Sequence, residues 1–155
     1  MADIRVVNAS PLIALAKVGR LDLLLNEGRR LIVPEAVAQE IFAGPPNDPA
    51  RRALENGFGL PFQSNKVDVD VLAWSLGAGE SSVLTVARSL EALAILDDRD
   101  ARVAARTLGI RLTGTLGIVI QGAREGRVAS AVGLIRELRE AGLRLQDRNY
   151  SGLSL

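Results

Sequence analysis

Asp97, Asp98 and Asp100 place three carboxylates within four residues, directly after the apolar run Leu93-Ala94-Ile95-Leu96. So short an apolar run predicts a buried strand. In an open α/β sheet the carboxyl ends of the strands face the ligand crevice. Acids gathered there repel one another and lose water, and a hard divalent cation relieves both penalties. Two glutamates add to the set. Glu40 stands at helical spacing from Ala36, Val37 and Ile41, and Glu80 precedes Val83 and Leu84 by three and four residues. Residues so spaced are neighbours on a helix surface. Both glutamates are therefore expected to face the core or its edge, where an unpaired charge costs several kcal/mol. Asn8 ends the first apolar run, Ile4 to Val7. Each residue also has a plainer reading: Asp98 and Asp100 as caps of the next helix, Glu80 as a first-turn acid favoured by the helix dipole, Glu40 as an edge residue, Asn8 as a turn former. What favours a site is their joint placement: a polar residue ending the first strand, acids ending a later one, and glutamates on two helices between them.

Composition narrows the chemistry. The chain has no histidine and no cysteine, which excludes disulfides, thiolate and imidazole metal sites, and Ser-His catalysis. Catalysis has to rest on carboxylates, hydroxyls, arginines and a hard metal. All but two of the 19 basic residues are arginine, the exceptions being Lys17 and Lys66, and the net charge is +1. Arginine suits bidentate phosphate contacts, whereas 3% aromatic residues argue against a base-stacking surface. At 155 residues, with 48% hydrophobic and 24% charged, a single globular domain over residues 1–155 is expected. The start, Met-Ala-Asp-Ile-Arg, lacks a signal-peptide pattern, and no apolar stretch reaches the roughly 18–20 residues of a membrane span. A soluble, cytoplasmic protein is the expectation.

The elements that would position these residues alternate between strand and helix. A strand at 4–7 leads to Ser10 as N-cap and Pro11 opening a helix through Val18. A short helix at 21–25, a strand at 30–33 and a helix at 35–43 follow. Residues 45–68 hold four of the six prolines; a helix at 50–56 and an irregular or edge strand near Phe62 are expected there. Helices at 69–76 and 80–90 are separated by Gly77-Ala78-Gly79. Then come a strand at 93–96, a helix at 99–108, a strand at 110–113 and a helix from Thr115. A last helix carries an apolar stripe at Ala131, Leu134, Ile135 and Leu138, and Leu143 to Leu145 offer a final strand. This alternation predicts an α/β fold, a three-layer α/β/α arrangement of about five mostly parallel strands flanked by helices.

The same residues carry a family resemblance. Val7-Asn8-Ala9-Ser10-Pro11-Leu12-Ile13-Ala14-Leu15-Ala16, Val33-Pro34-Glu35-Ala36-Val37 running to Glu40-Ile41, and Leu76-Gly77-Ala78-Gly79-Glu80-Ser81 resemble blocks of the PIN domain, the fold of VapC-type ribonucleases. So do Ile95-Leu96-Asp97-Asp98-Arg99-Asp100-Ala101-Arg102 and Gly109-Ile110 through Thr113-Gly114-Thr115-Leu116-Gly117. The likeness is greater to a subgroup of stand-alone PIN-like prokaryotic proteins of mostly unassigned function, and the blocks thread the chain to about residue 126. The resemblance implies catalytic positions at Asn8, Glu40, Glu80 and Asp98. It implies metal positions at Asn8, Glu80, Asp97 and Asp98, with Mg²⁺ or Mn²⁺ as cofactor. The family's hydroxyl falls on Ser10. Cleavage of RNA, a homodimer and a small antitoxin partner are further implications.

The chain departs from the family at Asn8, where an aspartate is usual. An amide keeps the shape and an oxygen but removes a full charge, which weakens Mg²⁺ binding. Two functions therefore compete: a metal-dependent ribonuclease, and a catalytically silent PIN-like module that binds RNA or protein. A third, a phosphate cradle at Gly77-Ala78-Gly79, is disfavoured because Glu80 directly after it repels phosphate. Arg99, Arg102 and Arg106 lie at helical spacing, as an RNA guide or as a solvated face.

Overall fold

The structure, a computed structural model, describes residues 3–26, 28–63 and 66–143. Among these residues five strands form one sheet: β1 (Asp3–Val7), β2 (Arg29–Pro34), β3 (Leu60–Phe62), β4 (Leu93–Ile95) and β5 (Leu112–Thr113). Their order is β3-β2-β1-β4-β5, and every neighbouring pair is parallel. Among the described residues eight α-helices surround it: α1 (Ala9–Lys17), α2 (Glu35–Ala43), α3 (Pro49–Glu55), α4 (Val69–Leu72), α5 (Ala78–Leu90), α6 (Arg99–Thr107), α7 (Thr115–Arg124) and α8 (Ala131–Glu140). A 3-10 turn at Leu21–Leu24 follows α1.

The centre of the sheet is buried on both faces, as parallel strands require. Val6 and Val7 of β1, and Ala94 and Ile95 of β4, are fully enclosed. One set of helices is built around α5, which packs on β1, β2 and β4 and touches α2, α4 and α6. The other is built around α7 and α8, which pack with α1 and, for α7, with the 3-10 turn. Helix starts follow local chemistry. Asp48 accepts from Ala50 N with Pro49 at the first helical position, Asp98 accepts from Ala101 N, and the Ser130 hydroxyl accepts from Gly133 N.

Up to α8 the strands and helices expected from the sequence are present, with instructive shifts. Asn8, not Ser10, is the N-cap of α1, and its side chain makes no capping bond. The reason lies in the sheet: Asn8 N donates to Ile95 O at 2.9 Å, so Asn8 still belongs to the strand when the helix begins. Ser10 is consequently an exposed first-turn residue. Helix α4 stops at Leu72, four residues short of expectation, because the chain turns through Ser75 at φ +53°. Gly77 then becomes the N-cap of α5, so Gly79 and Glu80 belong to that helix's first turn. Strand β5 has two residues, since Ile110 N is still closing α6 on Ala105 O. Leu143 N closes α8 on Leu138 O; the expected strand from Leu143 does not begin there, and its remainder lies outside the described residues. Among the described residues no helix is long and apolar enough to cross a membrane.

Leu84 is fully buried on α5 against the sheet centre. Leu84→Ala is expected to destabilise the fold by about 2–5 kcal/mol, read from urea denaturation followed by far-ultraviolet circular dichroism. A loss below about 1 kcal/mol would mean that α5 does not pack the core as described.

Candidate functional site

In the order β3-β2-β1-β4-β5 the chain runs outward from β1 on one side and from β4 on the other. The gap between the carboxyl ends of β1 and β4 is therefore the topological switch point, where ligands enter open α/β sheets. Asn8 follows β1 there, and Asp97 and Asp98 follow β4. An open groove of about 390 Å³ lies at this end. Ser10, Ile13, Ala14 and Lys17 of α1 form one wall, Glu80, Asp97 and Asp98 another, and Ala141, Gly142 and Leu143 close it after α8. Acids far apart in the chain thus meet in one depression.

Behind the groove, Asn8 is 2% exposed. Its Nδ2 donates to Glu80 Oε1 at 3.4 Å, while its Oδ1 is buried without a hydrogen-bond partner. Gly79 lies against the same groups: a Cβ there would stand a tight 3.2 Å from Asn8 Oδ1 and 3.8 Å from both Glu40 carboxylate oxygens. Glu40 differs from the inward placement that its spacing suggested. As a residue it is exposed, yet its carboxyl end lies over Gly79. Loss of water at that end, with the Glu80 charge second, raises its pKa above the ordinary carboxylate value. Glu80 itself is half-buried.

The two aspartates after β4 have separate duties. Asp98 is exposed and caps α6, accepting from Ala101 N at 2.9 Å through Oδ2. Asp97 is half-buried and committed to α7: Oδ1 accepts from Thr115 N at 2.8 Å and Oδ2 from the Thr115 hydroxyl at 2.6 Å. Gly114 allows this approach, since a Cβ there would fall 2.6 Å from Asp97 Oδ1 and 2.6 Å from Arg102 Nη1. Arg102 donates to Leu96 O at 3.1 Å, so it braces the end of β4, while Arg99 and Arg106 are exposed.

Every donor here is oxygen, the chemistry of Mg²⁺ or Mn²⁺ rather than zinc. The unsatisfied, buried Asn8 Oδ1 beside Glu80 fits such an ion, as does the Asp98 carboxylate on the groove. Asp97 fits less well, both its oxygens being engaged by Thr115. Among the described residues no three acidic side chains stand close enough to cage an ion beforehand, so a centre here would assemble around its ion. Two residues escaped the reading of the sequence. Thr115 was legible only as a helix start, and Lys17 only as the residue seven after Ser10 on the groove-lining face of α1.

A PIN-domain family model matches residues 4–153. Among solved structures, the chain is similar to SSO1118, a PilT N-terminus domain protein from the archaeon Sulfolobus solfataricus P2. The likeness has a TM-score of 0.50 at 20% identity, covering 76% of this chain and 92% of that one. It is also similar to PAE2754 from Pyrobaculum aerophilum, with a TM-score of 0.57 at 16% identity over 80% of this chain and 92% of the other. At such identities these likenesses speak for the fold. No curated protein matches the chain.

Two outcomes follow from the geometry. The raised pKa of Glu40 means that its contribution is fully favourable below the ordinary value of 4.5 and is lost as pH rises through the folded-state value. In EDTA, Glu40→Gln should therefore melt higher than the wild type at neutral pH, the gap closing towards pH 4; a gap independent of pH would contradict the burial of that carboxyl end. Thr115→Val, which removes a hydroxyl donor from a half-buried carboxylate, should lose about 1–3 kcal/mol in chemical denaturation. Thr115→Ser should retain most of the stability.

Proposed function

Because the chain belongs to the PIN-domain family, we propose that the acid-lined groove hydrolyses RNA phosphodiester bonds with the help of Mg²⁺ or Mn²⁺. The observation that carries this reading is that Glu80, Asp97 and Asp98 line one groove at the switch point, with the orphaned Asn8 Oδ1 behind it. Glu80 and Asp98 would hold the ion, and Asn8 would add its amide oxygen. When bound, such an ion polarises the scissile phosphate and lowers the pKa of an attacking water.

The protein's own groups divide the remaining work. Glu40, which holds a proton more firmly than an ordinary carboxylate, is suited to take one at its carboxylate oxygens from the attacking water. Asp97 positions: through Thr115 it clamps the end of β4 to the start of α7 and so fixes Asp98 at the groove edge. The Lys17 ammonium, on the same wall two helical turns beyond Ser10, offers a cation for a neighbouring phosphate. Family membership also supports a small antitoxin-like partner and a homodimer as further proposals.

A second reading, a silent PIN-like module that binds RNA or protein, is favoured by one specific contact. Asn8 presents an N–H to Glu80, at a long 3.4 Å, where the family's usual aspartate presents an oxygen to a cation, and a donor there weakly relieves the acids without metal.

The decisive experiment combines cleavage with metal binding. Wild type with Mn²⁺ should cut single-stranded RNA, and Asp98→Asn, which keeps the helix cap, should lower the rate by about a hundredfold or more. Equal rates in the two proteins would expose a contaminant and remove the ribonuclease reading. By calorimetry, Asn8→Asp should bind Mn²⁺ about tenfold more tightly than the wild type. If neither wild type nor Asn8→Asp cleaves, yet the wild type binds RNA in EDTA, the module reading stands instead.

A further inference from the structure

Buried charges in proteins are nearly always paired, and Arg5 breaks that rule. It lies in the middle of the central strand β1, in register between Leu31 of β2 and Leu93 of β4, and is 4% exposed. Nη1 donates to the Leu23 and Leu24 carbonyls of the 3-10 turn at 3.4 and 3.3 Å, both long for hydrogen bonds. Nε is buried with no partner, and among the described residues Arg5 forms no salt bridge. A guanidinium placed only to cap the turn needs two N–H groups at most, and here Nε loses its water without recompense.

What Arg5 faces supplies a reason. A cavity of about 250 Å³ is lined by Asp3, Arg5, Arg29, Thr113 and Gln121, with an apolar floor that includes Ile118. It opens at the amino end of the sheet, where Asp3 and Arg29 are the first residues of β1 and β2 and pair in register, and runs along the sheet face to Thr113 of β5. The acid groove lies at the opposite end of the same strands. Charge in this cavity is out of balance. Asp3 is shared by Arg29 at 3.3 Å and Arg111 at 4.0 Å, so with Arg5 three guanidiniums lean on one carboxylate. Burial depresses the Arg5 pKa, and the Arg29 and Arg127 charges act in the same direction, partly opposed by Asp3 and Glu125. Among the residues that line the cavity, two guanidiniums, Arg5 and Arg29, face a single carboxylate, Asp3.

We propose that this cavity binds a phosphate-class oxyanion, held by Arg5 and Arg29 with the Thr113 hydroxyl and Gln121 amide as neutral donors. Planar guanidiniums give phosphate oxygens paired, charge-assisted hydrogen bonds. Asp3, at the rim, competes for the same arginines and keeps the site weak. The proposal does not depend on the catalytic reading, because it uses none of the groove residues.

The test is calorimetry in EDTA with inorganic phosphate, against sodium chloride at matched ionic strength. Saturable one-to-one phosphate binding is expected. Arg29→Gln should weaken it about tenfold or more, as loss of a charged hydrogen-bond donor does. Asp3→Asn should tighten it, a gain that no merely structural role for these residues produces. Both substitutions sit at the partly exposed rim, so neither threatens the fold as Arg5→Met does. Glu80→Gln should leave phosphate binding unchanged, which separates this site from the acid groove. A short RNA with a 5′-phosphate that displaces inorganic phosphate, where its 5′-hydroxyl counterpart does not, would identify a terminal phosphate as the ligand; displacement by neither would identify the free ion. Phosphate behaving like chloride, or both rim variants binding phosphate as the wild type does, would overturn the proposal.

Discussion

The hydrogen bond from Asn8 N to Ile95 O, 2.9 Å long, joins the last residue of β1's ladder to the end of β4, and the arrangement of the site hangs on it. Parallel neighbours must be linked through crossovers rather than tight turns, so β1 and β4 meet only after more than eighty residues of intervening chain. Their pairing brings Asn8 beside Asp97 and Asp98. It also sets the point from which α1 and α6 depart, and so the walls of the groove. Glu40 and Glu80 join because α2 and α5 pack against each other on the same side of that junction.

Once assembled, the junction has a charge problem that the chain meets in three ways. Helix starts absorb part of it: Asp98 caps α6 and Glu80 lies in the first turn of α5, where backbone N–H groups favour anions. A neutral side chain absorbs more, the Asn8 amide donating to Glu80. A hydroxyl and a backbone N–H of Thr115 hold Asp97. Among the described residues these let four acids coexist without a cage of three around one point. The same strand carries the opposite case three residues before Asn8. Among the described residues Arg5 is buried with its hydrogen bonds on carbonyls, and Arg29 joins it in lining the cavity. Strand β1 thus presents an acid-lined opening at one end and a cationic one at the other.

Much of this was legible in residue order. Short apolar runs at Ile4–Val7 and Leu93–Leu96 marked the central strands, and the acids after the second marked its carboxyl end. What misled was local pattern read without neighbours. Ser10-Pro11 looks like a helix start, but the ladder bond of Asn8 begins the helix earlier. Glu40 has the spacing of an inward residue, yet spacing gives a helix face and not the reach of a long side chain. Its stem is exposed, and only its carboxyl end turns in over Gly79. Thr115, eighteen residues from Asp97, bore no sign of its partner.

Residue order alone determined the fold class and the inventory of chemistry: alternating strands and helices, no imidazole or thiol, carboxylates at strand and helix ends. These follow from local periodicity and side-chain type, which need no knowledge of distant contacts. Only the tertiary structure decided how that inventory is used: which oxygens are free and which are spent on N–H groups, that Asn8 offers Glu80 an N–H, and that Arg5 is enclosed with no salt bridge among the described residues. Those outcomes depend on where packing excludes water and which groups it brings within hydrogen-bond distance, and packing is set by the whole chain at once.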